Sequence, residues 1–405
     1  MRLQAFRALR PPTALANAVG CVAYDTVDTE EAKALANSNP HSFLHVTRPD
    51  VDLPAGTDAH SGAAYAQASA MLRRFRDEGT LVREDNASLY IYRIDGSGHS
   101  QTGVVGCCHV ADYDDGIILR HEKTRPDKEA DRTRLNIELR AHTGPVLMTY
   151  RARKAVDDIV TACSARDVLL EANSEDGALH RVWRVNEPEA LTRTFIDVTS
   201  CYIADGHHRA AAAAGAARSL AEDNASHCGK EEYNWFLAAL FPENQLQVMA
   251  YNRCVKDFGN HSEDAFIEAL REVCDVSANV DPVPSARGHI SCYLNGTWMG
   301  LTLPKTISTD PVVGLDVSQL QDRVLGPLLG IEDPRTSSKI EFVGGIRGTA
   351  ELEERVNAGK AAVAFSLYPV SVTEMMNIAD AGKIMPPKST WFEPKLRSGL
   401  LVHTC

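Results

Sequence analysis

Residues 201–209 read CYIADGHHR, and the alanine-rich run Ala210–Ala217 follows them directly. The apolar residues before Asp205 predict a buried β-strand, and the alanines predict a helix that can lie tightly on a sheet. Gly206 lies between the two, where the absence of a side chain lets a ligand approach the backbone closely. The stretch therefore predicts a strand, a polar tip and a helix, as in layered α/β folds.

Strand-like and helix-like segments alternate on both sides of this stretch, which predicts an α/β or α+β fold with layered elements. Upstream, we expect a helix over Ala63–Glu78 and a β-hairpin formed by Ser88–Ile94 and Gly103–Val110. Asp112–Gly116 breaks the pattern and suggests a boundary. We also expect a helix near Ala152–Ser164, strands at Val168–Glu171, His180–Val185 and Thr194–Ala204, and a C-terminal set of strand Lys339–Phe342, helix Thr349–Ala358 and strand Ala361–Tyr368.

The composition excludes several classes of protein. The chain has 405 residues, 44% of them hydrophobic and 24% charged, so we expect two or three globular domains. Its 42 basic and 54 acidic side chains give a net charge of −12, which argues against a nucleic-acid partner. A small basic pocket for a phosphorylated ligand is still compatible with this charge. No segment approaches the roughly 18 apolar residues of a membrane span, so no membrane partner is expected.

The cysteines indicate a reducing environment. The chain has ten of them without a C-x-x-C pair, and the spacing of Cys107 and Cys108 suits neither a zinc site nor an ordinary disulfide. We interpret this pair as small buried hydrophobic residues rather than as a redox couple. Met1–Leu15 contains arginines but no apolar core of a signal peptide. The sequence therefore predicts a cytoplasmic protein.

The polar tip carries the most informative chemistry. The free N–H groups at a helix N-terminus, together with the helix dipole, bind anions such as phosphate. His207, His208 and Arg209 add donors, and the Arg209 guanidinium can fork onto phosphate oxygens. Asp205 is a candidate helix cap and also a candidate ligand for Mg²⁺. The alternative interpretation is an ordinary strand–turn–helix with exposed histidines.

A second motif, His121–Arg125 (HEKTR), places the carboxylate of Glu122 among basic side chains. A glutamate beside a substrate hydroxyl can act as a general base, which contributes roughly 10² to 10⁴ in rate. The motif is not the H-E-x-x-H zinc signature, because Arg125 stands at its last position. The alternative is a solvated helix face.

A third motif, Met385–Thr390 (MPPKST), combines a lysine and two hydroxyls in a proline-stiffened loop. Such a loop can clamp a phosphate or a carboxylate, or it can be an ordinary surface loop. The sequence contains no Walker A, G-x-G-x-x-G or G-x-S-x-G motif, so a phosphate site here needs a less common architecture.

These three motifs together resemble the free-serine kinases of the ParB/sulfiredoxin-like superfamily. Longer motifs resemble a bacterial uncharacterised-domain family related to those kinases: FRALRP at Phe6–Pro11, SFLHV at Ser42–Val46, KTRPDKE at Lys123–Glu129 and FEPKLRSGL at Phe392–Leu400. The resemblance implies three parts. Residues 1–116 form an N-terminal α/β extension, 117–305 a ParB/sulfiredoxin-like nucleotide-binding core, and 306–405 a small C-terminal α/β domain on the substrate side.

The resemblance also implies roles for single residues. Glu122 is expected to be the catalytic residue that activates the serine hydroxyl. The expected nucleotide- and phosphate-binding residues are Asp205, Gly206, His207, His208 and Arg209. The expected substrate-side residues are His121, Arg125, Lys388, Ser389 and Thr390. The N-terminal extension precedes Glu122, and within it His45 and Arg48 either reach a substrate carboxylate or belong to a structural cover over a sheet edge.

The resulting prediction is a kinase that phosphorylates free L-serine to O-phosphoserine with ATP or ADP and Mg²⁺. Two alternatives remain open at this point: a nucleotide-binding regulator of the ParB-like fold and a kinase of another small hydroxylated metabolite. The donor nucleotide and the oligomeric state do not follow from the sequence.

Overall fold

The computed structural model describes residues 1–54, 56–304 and 307–405. The described chain divides into two compact units. Unit 1 contains Met1–Arg120, Thr124–Leu246 and Pro394–Cys405, and unit 2 contains His121–Lys123 and Gln247–Glu393.

Unit 1 is built on a mixed sheet with helices packed on it. Its strands up to residue 246 are β1 (Leu3–Gln4), β2 (Leu9–Arg10), β3 (Val82–Arg83), β4 (Tyr90–Gly96), β5 (His99–His109), β6 (Ile118–Leu119), β7 (Ala141–His142), β8 (Val146–Tyr150), β9 (Leu170–Asn173), β10 (Leu179–Arg184), β11 (Cys201–Asp205) and β12 (Trp235–Pro242). Its helices are α1 (Ala16–Val19), α2 (Thr29–Asn37), α3 (Leu44–Thr47), α4 (Gly62–Asp77), α5 (Val110–Asp114), α6 (Pro126–Leu139), α7 (Lys154–Ser164), α8 (Pro188–Ile196) and α9 (His207–Glu222).

The main sheet has the order β6-β11-β8-β12-β5-β4-β10-β9, and β1 adds to β5. Strand β8 runs parallel to β12 and antiparallel to β11, so the sheet is mixed. All five residues of β8 are buried, as expected for a strand covered on both faces. Four alanines of α9 are buried in the core of unit 1: Ala210, Ala213, Ala214 and Ala217. The predicted α/β fold class is confirmed, and so are the helix near Ala63–Glu78 and the hairpin of β4 and β5.

One local prediction in unit 1 is wrong. Thr194–Ala204 is not one strand, because α8 continues to Ile196 and β11 begins only at Cys201. Helix α8 starts with a proline and buries Leu191 and Phe195, four residues apart on one helical face. The break predicted at Asp112–Gly116 contains most of α5 and lies inside unit 1.

Asp112, within the predicted break, is bonded to the N-terminal segment of unit 1. Its carboxylate is fully buried and accepts hydrogen bonds from the backbone N–H and the guanidinium of Arg2, at 2.6 and 2.7 Å. The predicted division between residues 116 and 117 therefore falls inside unit 1. The predicted division between residues 305 and 306 lies outside the described residues. The three-domain assignment stays a prediction.

Unit 2 is built on an antiparallel sheet of order β15-β17-β16-β19-β14-β18, with a separate pair β13-β20. Its strands are β13 (Gln247–Met249), β14 (Tyr251–Val255), β15 (Asp275–Ala278), β16 (His289–Leu294), β17 (Thr297–Thr302), β18 (Ile340–Gly344), β19 (Val363–Leu367) and β20 (Trp391–Glu393). Its helices are α10 (Glu263–Val273), α11 (Asp316–Leu320), α12 (Ala350–Asn357) and α13 (Val372–Asp380). The predicted C-terminal strand, helix and strand are confirmed as β18, α12 and β19.

The last segment of the chain belongs to unit 1, where β21 (His403–Thr404) pairs antiparallel with β7. Over the described ranges, no helix combines the length and the apolar character that a membrane crossing requires.

Candidate functional site

The polar tip of unit 1 has the predicted strand–turn–helix geometry. Strand β11 ends at Asp205, and helix α9 begins at His207. Gly206 between them has φ +99°, a left-handed conformation that side chains strongly disfavour. A Cβ atom at this position would also lie 2.9 Å from the Arg209 guanidinium. Glycine is therefore required here by both its backbone conformation and its surroundings.

Arg209 lies beneath this turn. Its Nη1 donates a hydrogen bond to the carbonyl oxygen of Pro145, and its Nη2 is 3.7 Å from Asp205 Oδ2. Only 14% of the side chain is exposed, and the buried Nε has no hydrogen-bond partner among the described residues. Arg209 therefore contributes positive charge behind the turn, whereas its expected forked contact with phosphate stays a prediction.

Asp205 forms an ion pair rather than a helix cap. The N-cap residue of α9 is Gly206, without a side-chain capping bond, so the expected cap role of Asp205 is wrong. Its Oδ2 lies 3.3 Å from Lys395 Nζ, also in unit 1. Burial raises the pKa of Asp205, but the charges of Lys395 and Arg209 outweigh that effect and lower the pKa well below its usual range. The carboxylate is thus held ionised.

The two histidines of the tip are less exposed than an ordinary surface turn would make them. His207 is buried and His208 is half-buried. The Nε2 atom of His208 accepts a hydrogen bond from the backbone N–H of Arg125, at 3.0 Å. In the neutral ring this contact assigns the proton of His208 to Nδ1. Within unit 1, the end of the HEKTR motif is therefore fastened to the DGHHR tip.

The start of the HEKTR motif lies in unit 2, where it meets the PPKST loop. The carbonyl oxygen of His121 accepts a hydrogen bond from the N–H of Met385, at 2.8 Å. The Nε2 atom of His121 is 3.3 Å from the hydroxyl of Thr390. His121 is buried and Glu122 is half-buried, in a stretch without helix, since α6 begins only at Pro126. The alternative interpretation of HEKTR as a helix face is therefore wrong.

The PPKST loop has a defined conformation. Lys388 adopts φ +55°, and its Nζ lies 5.6 Å from the centre of the Tyr251 ring. The Ser389 hydroxyl donates a hydrogen bond to the carbonyl oxygen of Pro386 at 2.6 Å. The hydroxyl therefore faces the backbone of its own loop. The loop is held by Arg253, whose Nη2 donates to the carbonyl oxygen of Lys388 at 3.0 Å.

Arg253 and Lys395 are the residues of these sites that sequence reasoning missed. Burial lowers the pKa of Arg253 to about 9, so the side chain is still a cation at neutral pH. Nothing in the local sequence of β14 marks Arg253 as a loop anchor. Lys395 stands within the quoted motif FEPKLRSGL, but its partner Asp205 is revealed only by the fold.

Other candidates have plainer surroundings. The Arg125 side chain is exposed and forms an ion pair with Asp127 at 2.8 Å. Within unit 1, Arg48 forms an ion pair with Asp50 at 2.9 Å and donates to the carbonyl oxygen of Val27. His45 is 2.9 Å from Asp52. The contacts of His45 and Arg48 are therefore made with other residues of the N-terminal segment.

The N-terminal segment also contacts the edge strand β9, because Asn17 Oδ1 accepts a hydrogen bond from the N–H of Asn173 at 2.7 Å. This contact favours the interpretation of the extension as a structural cover over the sheet edge.

Comparison with protein families gives a match over most of the chain. The model of a family described as a protein of unknown function, DUF1015, matches residues 3–318. A search of curated proteins gives no match.

Solved structures give low similarity to several proteins. SbnI from Staphylococcus aureus, with a C-terminal truncation, has a TM-score of 0.40 and 13% identity over 74% of this chain and 87% of its own. A free serine kinase variant in complex with AMP has a TM-score of 0.39 and 12% identity over 74% and 92%. A conserved hypothetical protein from Pyrococcus furiosus has a TM-score of 0.37 and 13% identity over 75% and 95%.

Proposed function

This chain belongs to the DUF1015 family, and we propose that it transfers a phosphoryl group from ATP or ADP to the hydroxyl of free L-serine, giving O-phosphoserine. The observation that carries this proposal is that the HEKTR motif is bonded to both other motifs. In unit 2 its His121 contacts the PPKST loop, and in unit 1 its Arg125 is bonded to the DGHHR tip.

The charges at the tip suit a polyphosphate. Asp205 carries one negative charge, and Lys395 and Arg209 carry one positive charge each, so the three side chains leave a surplus of one positive charge. The N-terminus of α9 adds the positive end of its dipole. The glycine at its N-cap leaves the backbone open to close approach by a ligand. These features favour binding of the nucleotide phosphates at residues 205–209.

Glu122 is the proposed general base. It precedes Arg125 by three residues, so their Cα atoms are at most about 11 Å apart in any conformation. The Arg125 N–H is bonded to His208 of the tip, so Glu122 is linked to the tip by three residues of chain. In the reaction, Glu122 accepts the proton of the serine hydroxyl, the hydroxyl oxygen attacks the terminal phosphorus, and the nucleotide leaves with one phosphate fewer.

Magnesium fits this site as a companion of the nucleotide. Asp205 uses Oδ2 in its ion pair and is 34% exposed, so the ionised carboxylate can offer one oxygen to a cation otherwise held by phosphates and water. When bound, Mg²⁺ neutralises charge that builds up on the phosphates.

The acceptor side is assigned to the PPKST loop. Lys388 offers a positive charge for the carboxylate of serine, and Thr390 offers a hydroxyl beside His121. Ser389 supports the loop through its bond to Pro386. Arg125, with its exposed side chain, is a second cation available for the carboxylate.

The test is a product assay. The purified protein would be incubated with Mg²⁺ and L-serine, with ATP and ADP in separate mixtures, and phosphoserine would be followed by mass spectrometry. We expect phosphoserine together with ADP from ATP or AMP from ADP. Nucleotide binding without any phosphoserine would refute the serine kinase; parallel mixtures with threonine and homoserine would then reveal another acceptor.

A further inference from the structure

A separate cluster of side chains of the types that can ligate a metal lies in unit 1, where β7 pairs with β21. His142 and His403 are direct partners in this pairing, and Cys405 follows β21. The Nδ1 atoms of the two histidines are 3.2 Å apart. One ring nitrogen of each histidine and the Cys405 sulfur all lie within 4.8 Å of one another. Both histidines are buried and Cys405 is partly buried.

A carboxylate fixes the orientation of one of these rings. Glu232 Oε2 lies 3.0 Å from His403 Nε2. A proton on Nε2 donates to this carboxylate, which leaves the lone pair of His403 Nδ1 directed toward His142. A carboxylate on the outer nitrogen of a metal-bound histidine is a recurring feature of zinc sites, because it orients the ring and raises its basicity.

We propose that His142, His403 and Cys405 bind one Zn²⁺ ion, through the two Nδ1 atoms and the Cys405 sulfur. Zinc prefers nitrogen and sulfur ligands in tetrahedral geometry. Two nitrogens bound tetrahedrally at 2.0–2.1 Å lie about 3.3 Å apart, which is close to the 3.2 Å between these Nδ1 atoms.

The remaining changes on binding are small. Tetrahedral zinc holds sulfur and nitrogen about 3.6 Å apart, so the sulfur closes on the ligand nitrogens by an amount on the order of 1 Å. A Zn–S bond forms as the S–H bond breaks, and the thiol proton goes to water, without any redox step. His142 moves its ring proton to Nε2 so that both Nδ1 lone pairs face the ion. A water molecule completes the tetrahedral set as fourth ligand, as is usual where the protein supplies three.

The proposed ion fastens the final segment of the chain to the polar tip. It ties residues 403–405 to His142, and Pro145, three residues further on, accepts the hydrogen bond of Arg209. The same final segment contains Lys395, which pairs with Asp205. Zinc would thus stabilise both segments that hold the cations of the tip. This inference does not depend on the proposed kinase function.

The test is metal binding by the full chain. Protein stripped of metal would be titrated with Zn²⁺ and, separately, with Co²⁺, and the metal content would be measured by mass spectrometry. We expect one ion per chain, a rise in melting temperature with zinc, and a thiolate-to-cobalt charge-transfer band. Cys405→Ser should abolish the band and weaken zinc binding at least about 100-fold. The matched control is Cys228→Ser, which changes an exposed cysteine and should keep the wild-type binding.

His142→Gln gives an independent check on the imidazole ligand and should weaken zinc binding to a similar extent. Because cobalt spectroscopy on the wild-type chain needs no variant, it decides the matter even if a histidine variant fails to fold. The absence of metal binding by the wild type, a cobalt spectrum without the thiolate band, or unchanged binding in Cys405→Ser would each overturn the site.

Discussion

Lys395 Nζ lies 3.3 Å from Asp205 Oδ2, although 190 residues separate the two in the chain. The pair joins the final segment of unit 1 to the end of strand β11. Its effect is to keep Asp205 ionised and to place a second cation beside the N-terminus of α9, next to Arg209. The tip therefore carries surplus positive charge in a protein whose net charge is −12.

Replacing this lysine tests the charge balance of the tip. In Lys395→Met, one positive charge is lost from the proposed phosphate site. We expect the affinity for ADP to fall at least about tenfold, because a charge-assisted contact of this kind is worth roughly 1.5–3 kcal/mol. Isothermal titration calorimetry measures the change. Lys154→Met removes an exposed lysine of α7 and should bind ADP as the wild type does. Equal affinity in the two variants would remove Lys395 from the site.

The conformation of Gly206 leads to a second prediction. Gly206→Ala forces a side chain into φ +99° and against Arg209, so we expect loss of stability and at least a tenfold loss of ADP affinity. Gly177→Ala is the matched control, because Gly177 has φ +81° with no atom within 4 Å of the added Cβ. The control should cost about 1–2 kcal/mol in urea unfolding and leave ADP binding unchanged. A Gly206→Ala protein that binds ADP normally would show that the close approach is not used.

The contact between His121 and Thr390 leads to a third prediction, which rests on the proposed kinase activity. Thr390→Val removes the hydroxyl 3.3 Å from His121 Nε2 and leaves a buried nitrogen without this partner. We expect the KM for serine to rise several-fold while the affinity for ADP is unchanged. Thr297→Val, at an exposed position of β17, is the control. If Thr390→Val weakened the binding of serine and of ADP equally, the loop would not belong to the serine-binding side.

The pH dependence of stability has a contribution from Asp316 in unit 2. Burial raises its pKa to about 6, and the N–H of Gly288 and the charge of Arg287 only partly offset this. Between pH 4 and 6 the unfolded chain releases the proton of this carboxyl while the folded chain retains it. The free energy of unfolding therefore falls as the pH rises through this range, by up to about 3 kcal/mol.

Asp316→Asn should remove that part of the pH dependence. Urea unfolding at pH 4, 5 and 6 measures it as the difference between the slopes of wild type and variant. Asp322→Asn, at an exposed position nearby, is the control and should keep the wild-type slope. Parallel slopes for all three proteins would contradict the raised pKa of Asp316.

Local patterns in the sequence predicted local structure well. The apolar run before Asp205 and the alanines after Gly206 predicted the strand and helix that form the tip, because both patterns depend only on near neighbours. The strand predicted at Thr194–Ala204 failed because Leu191 and Phe195 belong to a buried helical face that begins upstream of that window. Periodicity read over too short a segment cannot separate these two cases.

Tertiary contacts could not be predicted in the same way. The partner of Asp205 is Lys395, and the anchor of Lys388 is Arg253, 135 residues earlier. The sequence around Asp205 suggests a helix cap, since aspartate before a helix usually serves as one. Only the return of the final segment to unit 1 shows that the carboxylate is used in an ion pair instead.

In the proposed reaction, Glu122 is the base for phosphoryl transfer to serine. The most direct test is the rate of phosphoserine formation by wild type, Glu122→Gln and the control Glu138→Gln, which changes an exposed glutamate of α6, at nucleotide concentrations that saturate each protein. We predict turnover by the wild type and the control, and a rate at least about 10²-fold lower for Glu122→Gln with ADP affinity retained. No phosphoserine from the wild type, or an unchanged rate in Glu122→Gln, would contradict this account.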